Sequence, residues 1–103
     1  MFARVRVTQG VPDKLDEGIR QFRDVVVPSY KDVTGFKGGY MLADRAKGKL
    51  IGVTLWATEA DLHATEATSQ RLRTAGSHAA GGGVQSVEVY EVVVEPEGGN
   101  ANS

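Results

Sequence analysis

Phe36-Lys37-Gly38-Gly39-Tyr40-Met41-Leu42-Ala43-Asp44-Arg45-Ala46-Lys47-Gly48-Lys49-Leu50-Ile51-Gly52-Val53-Thr54-Leu55-Trp56 reads as two strands folded back on each other. Phe36 to Asp44 is the first, although Gly38 and Gly39 weaken its strand propensity. Arg45-Ala46-Lys47-Gly48 is a polar turn, and Lys49 to Ala57, dense in Leu50, Ile51, Val53, Leu55 and Trp56, is the second strand. The pattern is that of a β-hairpin. It decides the fold because a helix and then a strand are predicted on either side of it.

Towards the N-terminus, residues 2–8 alternate Phe2, Arg4, Arg6 against Ala3, Val5, Val7, the period of two that a pleated strand imposes. Gly10-Val11-Pro12-Asp13 punctuates the chain. Leu15, Ile19, Phe22, Val26 and Tyr30 then recur on one helical face, which Pro28 is expected to interrupt or kink, since proline lacks the amide proton and clashes with the preceding turn. Towards the C-terminus, Thr58 with Asp61 resembles a capping box, so a second helix begins near Glu59. It is predicted to run to Ala75–Ala80 and stop at Gly81-Gly82-Gly83. Val84 to Glu95 is the last strand. Residues 1–95 are expected to form one domain, with 96–103 a flexible polar tail. The order β-α-β-β-α-β predicts an α+β, ferredoxin-like sandwich, with two helices on one face of a four-stranded antiparallel sheet.

Sorting the strands by parity places Val5, Val7, Met41, Ala43, Ile51, Val53, Leu55, Val87 and Val89 in one set. The other holds Phe2, Phe36, Tyr40, Leu42, Leu50, Trp56, Tyr90 and Val92 with Arg4, Arg6, Thr54 and Glu88. Both sets are too apolar for water. A sheet of this size would expose on the order of 400 Å² on its uncovered face, near the limit for a monomer. A homodimer through the sheet face, a dimeric α+β barrel, is the expected partner arrangement.

Twelve Lys and Arg against thirteen Asp and Glu, with no basic run, make nucleic acid an unexpected partner. The absence of cysteine excludes disulfides, a thiolate nucleophile and Cys-ligated metal centres. No stretch has the apolar length of a membrane span and the N-terminus has no apolar targeting core, so the expectation is a cytoplasmic chain without a membrane partner. Nucleophile-elbow, phosphate-loop and dinucleotide-turn motifs are also missing.

Trp56 is the residue the sequence singles out, at the end of a strand just before the Thr58 cap. It is either a core anchor with its indole N–H satisfied at the rim, or the wall of an apolar pocket shared with Tyr40 and Leu42 by parity. Leu62, Ala64, Thr65, Ala67, Ser69 and Leu72 are the inward candidates of the second helix, mostly small enough to leave room for a flat ligand. Arg4 and Arg6 share a parity set with Glu88, which predicts a cross-strand Arg–Glu pair at the dimer face, with an arginine orienting an anionic ligand as the alternative. His63 and His78 are about four helical turns apart and share no metal unless the helix is broken. No metal site is expected.

Residues 34–56, from the Thr34-Gly35-Phe36 opening through the hairpin to Leu55-Trp56, resemble the antibiotic biosynthesis monooxygenase family, and Thr58-Glu59-Ala60-Asp61 after the tryptophan matches as well. The element order extends the resemblance over about residues 1–95. It implies a dimer of ferredoxin-like subunits, each with an apolar cavity between helices and sheet. Members that oxygenate aromatic polyketides do so without metal or flavin, through a phenolic substrate whose deprotonated form gives an electron to O₂. Their catalytic asparagine would fall at Gly52, a hairpin histidine at Leu42 and a helix tyrosine at Leu62, while the tryptophan is retained as Trp56. A haem-degrading relative would need a strand-one asparagine, for which Val5, Arg6, Val7 and Thr8 stand here, and a helix histidine, for which His78 is the candidate.

The expected function is binding of a small flat apolar or aromatic molecule in a pocket of Trp56, Tyr40, Leu42 and Leu62, with no cofactor. Tyr40 and His63 are the candidate proton-handling groups of a cofactor-independent monooxygenase. The alternatives are a non-catalytic carrier of the same ligand and a structural dimerisation module.

Overall fold

The hairpin forms as read. In the computed structural model, which describes residues 1–95, β2 (Phe36–Asp44) and β3 (Lys49–Trp56) pair antiparallel from Asp44 opposite Lys49 to Phe36 opposite Trp56. On the far side of β3 lies β1 (Phe2–Gln9), and outside it β4 (Gly83–Glu91), so the sheet order is β2-β3-β1-β4 with every pair antiparallel. Helices cover one face. This is the ferredoxin-like α+β arrangement predicted from the element order.

The first helical segment follows a 3-10 turn at Pro12–Lys14 and comprises α1 (Leu15–Gln21), a π-helical stretch (Phe22–Val26) and α2 (Val27–Tyr30). Pro28 does not break it. The turn widens before the proline, with Val27 N–H donating to the Phe22 carbonyl, five residues back, and the helix then continues to Tyr30. Leu15, Phe22, Val26 and Tyr30 are buried, as their spacing predicts.

The second helix is broken in two. Thr58 Oγ1 accepts from the Asp61 amide at 3.0 Å and starts α3 (Glu59–Ala64), as expected. Thr65 then leaves the helical conformation (φ −101°, ψ 11°), and α4 runs Glu66–Ala79. The last strand ends at Glu91 instead of Glu95, because its partner β1 starts at Phe2 and offers only the Met1 carbonyl, which takes the Val92 amide at 2.8 Å. The tail predicted for 96–103 lies outside the described residues.

The division of the sheet into faces differs from simple parity. Between Phe36 and Gly38 the register of β2 shifts by one residue, so Lys37 is a β-bulge, with Gly38 at φ 118° just beyond it. One extra residue turns every later side chain of the strand to the opposite face. Tyr40 and Leu42 therefore stand opposite Val53 and Ile51, and Met41 lies opposite Gly52. Likewise, β4 pairs Glu88 with Val5 and Val89 with Arg4, so Glu88 and Tyr90 leave the arginines' face. The helix-covered face is Phe2, Arg4, Arg6, Thr8, Leu50, Gly52, Thr54, Trp56, Met41, Val87 and Val89. The open face is Ala3, Val5, Val7, Tyr40, Leu42, Ile51, Val53, Leu55, Ser86, Glu88 and Tyr90.

Candidate functional site

Arg4 and Arg6 on β1 do not lie on the open face expected to meet a second copy; they point under the helices, and both are buried. The expected Arg–Glu cross-strand pair does not form, because the register puts Glu88 on the other face, where it accepts from the Tyr90 hydroxyl at 2.6 Å. Arg4 turns instead to the break between α3 and α4. Its Nη2 donates to the Leu62 carbonyl at 2.6 Å and to Glu66 Oε1 at 3.1 Å, and Nη1 donates to Thr65 Oγ1 at 3.3 Å and to Ser69 Oγ. Ser69 in turn bonds the Tyr30 hydroxyl. Burial pushes the Arg4 guanidinium down and Glu66 pulls it back only in part. For Glu66, burial pushes its carboxyl up, but Arg4 and Arg73 outweigh this and hold it below the usual carboxylate range.

Beside this network lies a cavity of ≈ 30 Å³ between helices and sheet. Phe22, Val26 and Leu72 form its apolar wall, and Arg4, Arg6, Tyr30, Thr54, Ser69 and Arg73 bring polar groups to it. It has room for about one or two water molecules. On the far side of the Phe22 ring is an open groove of ≈ 300 Å³ at the β2 edge, lined by Ile19, Val27, Gly39, Tyr40 and Met41 as well as Phe22. Phe22, the first residue of the π-helical stretch, is the wall the two spaces share.

The residues singled out in the sequence do not converge on this cavity. Trp56 is fully buried, packs edge-on to Tyr30 (5.1 Å) and Phe36 (5.3 Å), and donates its indole N–H to Thr54 Oγ1 at 3.1 Å. Its neighbours Thr54 and Tyr30 line the cavity, and Trp56 does not. Leu62 belongs to the same buried cluster. Tyr40 and Leu42 are each half exposed, turned from Trp56 by the bulge, and Tyr40 reaches only the outer groove. His63 is exposed on α3, 3.4 Å from Glu59. His78 is exposed on α4 beside Gln70, Arg71 and Thr74, so the cavity wall offers no imidazole to a haem iron. Among the described residues no group of three or more His, Asp or Glu is placed to hold a metal ion. No helix among them is long and apolar enough to cross a membrane.

Pattern reading named Arg6, as an alternative anion-orienting group, and Ser69, as an inward residue of the second helix, but missed Tyr30 and Arg73. Tyr30 looks like one more apolar anchor in the helix periodicity, and Arg73 looks like surface. The usable signal was Arg4 and Arg6 at alternate positions of a central strand, on the same face as Trp56.

No family model matches the chain. The uncharacterized protein Rv2557 of Mycobacterium tuberculosis is 33% identical over 94 residues, 89% of this chain, and the chain spans 41% of that relative's length. A monooxygenase from the gene ActVA-Orf6 of Streptomyces coelicolor, solved with the ligand nanaomycin D, superposes with a TM-score of 0.71 at 17% identity, over 93% of this chain and 92% of its own. The heme-degrader MhuD of Mycobacterium tuberculosis, with two hemes in its active site, superposes with a TM-score of 0.72 at 17% identity, over 94% of this chain and all of its own. These two likenesses establish a shared fold.

Proposed function

We propose that this chain, which has the antibiotic biosynthesis monooxygenase fold, binds a small flat aromatic or apolar molecule between its helices and its sheet, as a homodimer through the open sheet face. The observation that carries the reading is the mixed lining of the inner cavity: apolar Phe22, Val26 and Leu72 against a few convergent polar groups. That composition is typical of sites that grip an apolar body and orient it by a polar handle. Nanaomycin D and heme in proteins of this fold support a flat ligand. The cavity at ≈ 30 Å³ takes only water, so the ligand enters from the β2 edge and displaces the Phe22 ring, joining the inner space to the ≈ 300 Å³ groove. The experiment is a thermal-shift and Trp56 fluorescence screen of planar two- and three-ring aromatics. Binding that tightens when Phe22→Ala opens the partition supports the reading, and no shift with any of them overturns it.

A second reading, oxygenation of the bound molecule without a cofactor, is favoured by the Tyr30–Ser69–Arg4 chain, which sets a phenol and a guanidinium at the cavity wall. Such groups stabilise a phenolate formed on the ligand. Oxygen uptake with an anthrone-type substrate supports it. Binding without uptake leaves a carrier.

A further inference from the structure

The three guanidiniums around the inner cavity are unequally satisfied. Arg4 is held through its two Nη atoms by Leu62, Thr65, Glu66 and Ser69, while its Nε is buried with no hydrogen-bond partner. Arg73 gives Nη2 to Glu66 Oε2 at 3.2 Å, while its Nη1 is buried with no hydrogen-bond partner. Arg6 is 6% exposed, lines the cavity, and makes no ion pair or side-chain hydrogen bond among the described residues. The Phe22 ring lies against it, with its centroid 5.8 Å from the guanidinium carbon. Glu66 is the sole carboxylate among these groups and already serves two arginines.

Gly52 makes room for this placement. A Cβ on Gly52 would stand 2.8 Å from Arg6 Nη2 and 3.3 Å from Nε, and one on Gly76 would stand 3.4 Å from Nη1. The guanidinium thus lies between β3 and α4, where a side chain at Gly52 would crowd it and one at Gly76 would meet it at ordinary contact distance. Burial, and then the nearby Arg73, push it down to about 10, still protonated at neutral pH. A buried cation without a counter-charge is costly, and such a cost is retained where a ligand supplies the missing charge.

We propose that Arg6, flanked by Arg73, is the anion-binding end of the pocket and takes the carboxylate of an aromatic acid whose ring lies against Phe22, Val26 and Leu72. The planar fork of a guanidinium matches a carboxylate through two parallel hydrogen bonds, and the Tyr30, Ser69 and Thr54 hydroxyls line the same space. This deepens the reading of a flat ligand and rests on it.

The test compares 2-naphthoate with its neutral isostere 2-naphthamide, and benzoate with formate, by calorimetry at fixed ionic strength. The acid is expected to bind the wild-type chain on the order of 10- to 100-fold more tightly than the amide. Arg6→Met is expected to abolish that preference, and a circular-dichroism spectrum like that of the wild-type chain with a urea midpoint no lower shows that the variant is folded. Arg73→Gln is expected to reduce the preference. Equal affinity for acid and amide, or a preference that survives Arg6→Met, overturns the anion site and leaves the flat-ligand reading standing. Formate binding as tightly as benzoate and lost in Arg6→Met sustains the anion site and overturns its aromatic body. No binding of any probe overturns both.

Discussion

Arg4 Nη2 donates to the carbonyl oxygen of Leu62 at 2.6 Å, across the point where α3 stops and α4 begins. The Leu62 carbonyl also accepts from the Thr65 amide at 3.2 Å and the Thr65 hydroxyl at 2.8 Å, so the strand side chain joins the local bonds that close α3, while its other donors take Thr65, Ser69 and Glu66 at the start of the next helix. The break is therefore anchored to the sheet. Arg4→Met is expected to lower stability by about 2–4 kcal/mol, since several charge-assisted bonds are lost together. Urea unfolding midpoints measure this, and an unchanged midpoint contradicts the anchoring role.

Arg6 is expected to behave in the opposite way. Its folded-state value is depressed to about 10 from 12.5, so the protonated form is disfavoured by folding, and at neutral pH its charge subtracts from stability. Replacing a buried, unpaired charge by an apolar side chain of similar volume is neutral or stabilising by about 1–4 kcal/mol. Arg6→Met should accordingly unfold at the wild-type midpoint or above it in the absence of ligand. A clear loss of stability would mean that Arg6 is paired in solution.

How far the sequence revealed this molecule can be judged at Lys37 and at Arg6. The hairpin, the Thr58 cap and the apolar face from Leu15 to Tyr30 are local patterns, and each formed where it was read. The faces of the sheet were not legible, because one bulged residue at Lys37 reverses β2 and the register of β4 against β1 reverses Glu88. Neither has a signature in alternation alone. The cavity was less legible still: it exists because Phe22, Ser69, Leu72 and Arg73, from two helices, meet Arg6 and Thr54 from two strands. Which residues meet across layers is a tertiary fact.

Glu66 links stability to acid pH. Its folded-state pKa is below the ordinary 4.5, so its contribution is present above that value and disappears as pH falls through the lower folded-state value. Glu66→Gln should be less stable than wild type at pH 7, and the two should converge as pH drops well below 4.5. Because the carboxylate is half exposed, the difference at pH 7 is expected to be small. Thermal melts from pH 7 to pH 3 check the convergence; a constant gap would assign the effect to packing.

The open face gives the last prediction, and it also tests the bulge. Val5, Val7, Ile51, Val53 and Leu55 form its middle, with Tyr40, Leu42 and Tyr90 each 51% exposed on the outer strands. Covering on the order of 400 Å² of such surface with a second copy is worth about 10 kcal/mol before association costs are subtracted. Light scattering at micromolar concentration is expected to show a dimer. Leu42→Lys, opposite Ile51 on this face, should shift it to monomer, because a desolvated ammonium at the contact has no counter-charge. Ala43→Lys, one residue along and turned to the helix side opposite Leu50, should leave the dimer intact. Dissociation by Ala43→Lys and not by Leu42→Lys would reverse the face assignment, and a monomeric wild type would remove the sheet-mediated dimer altogether.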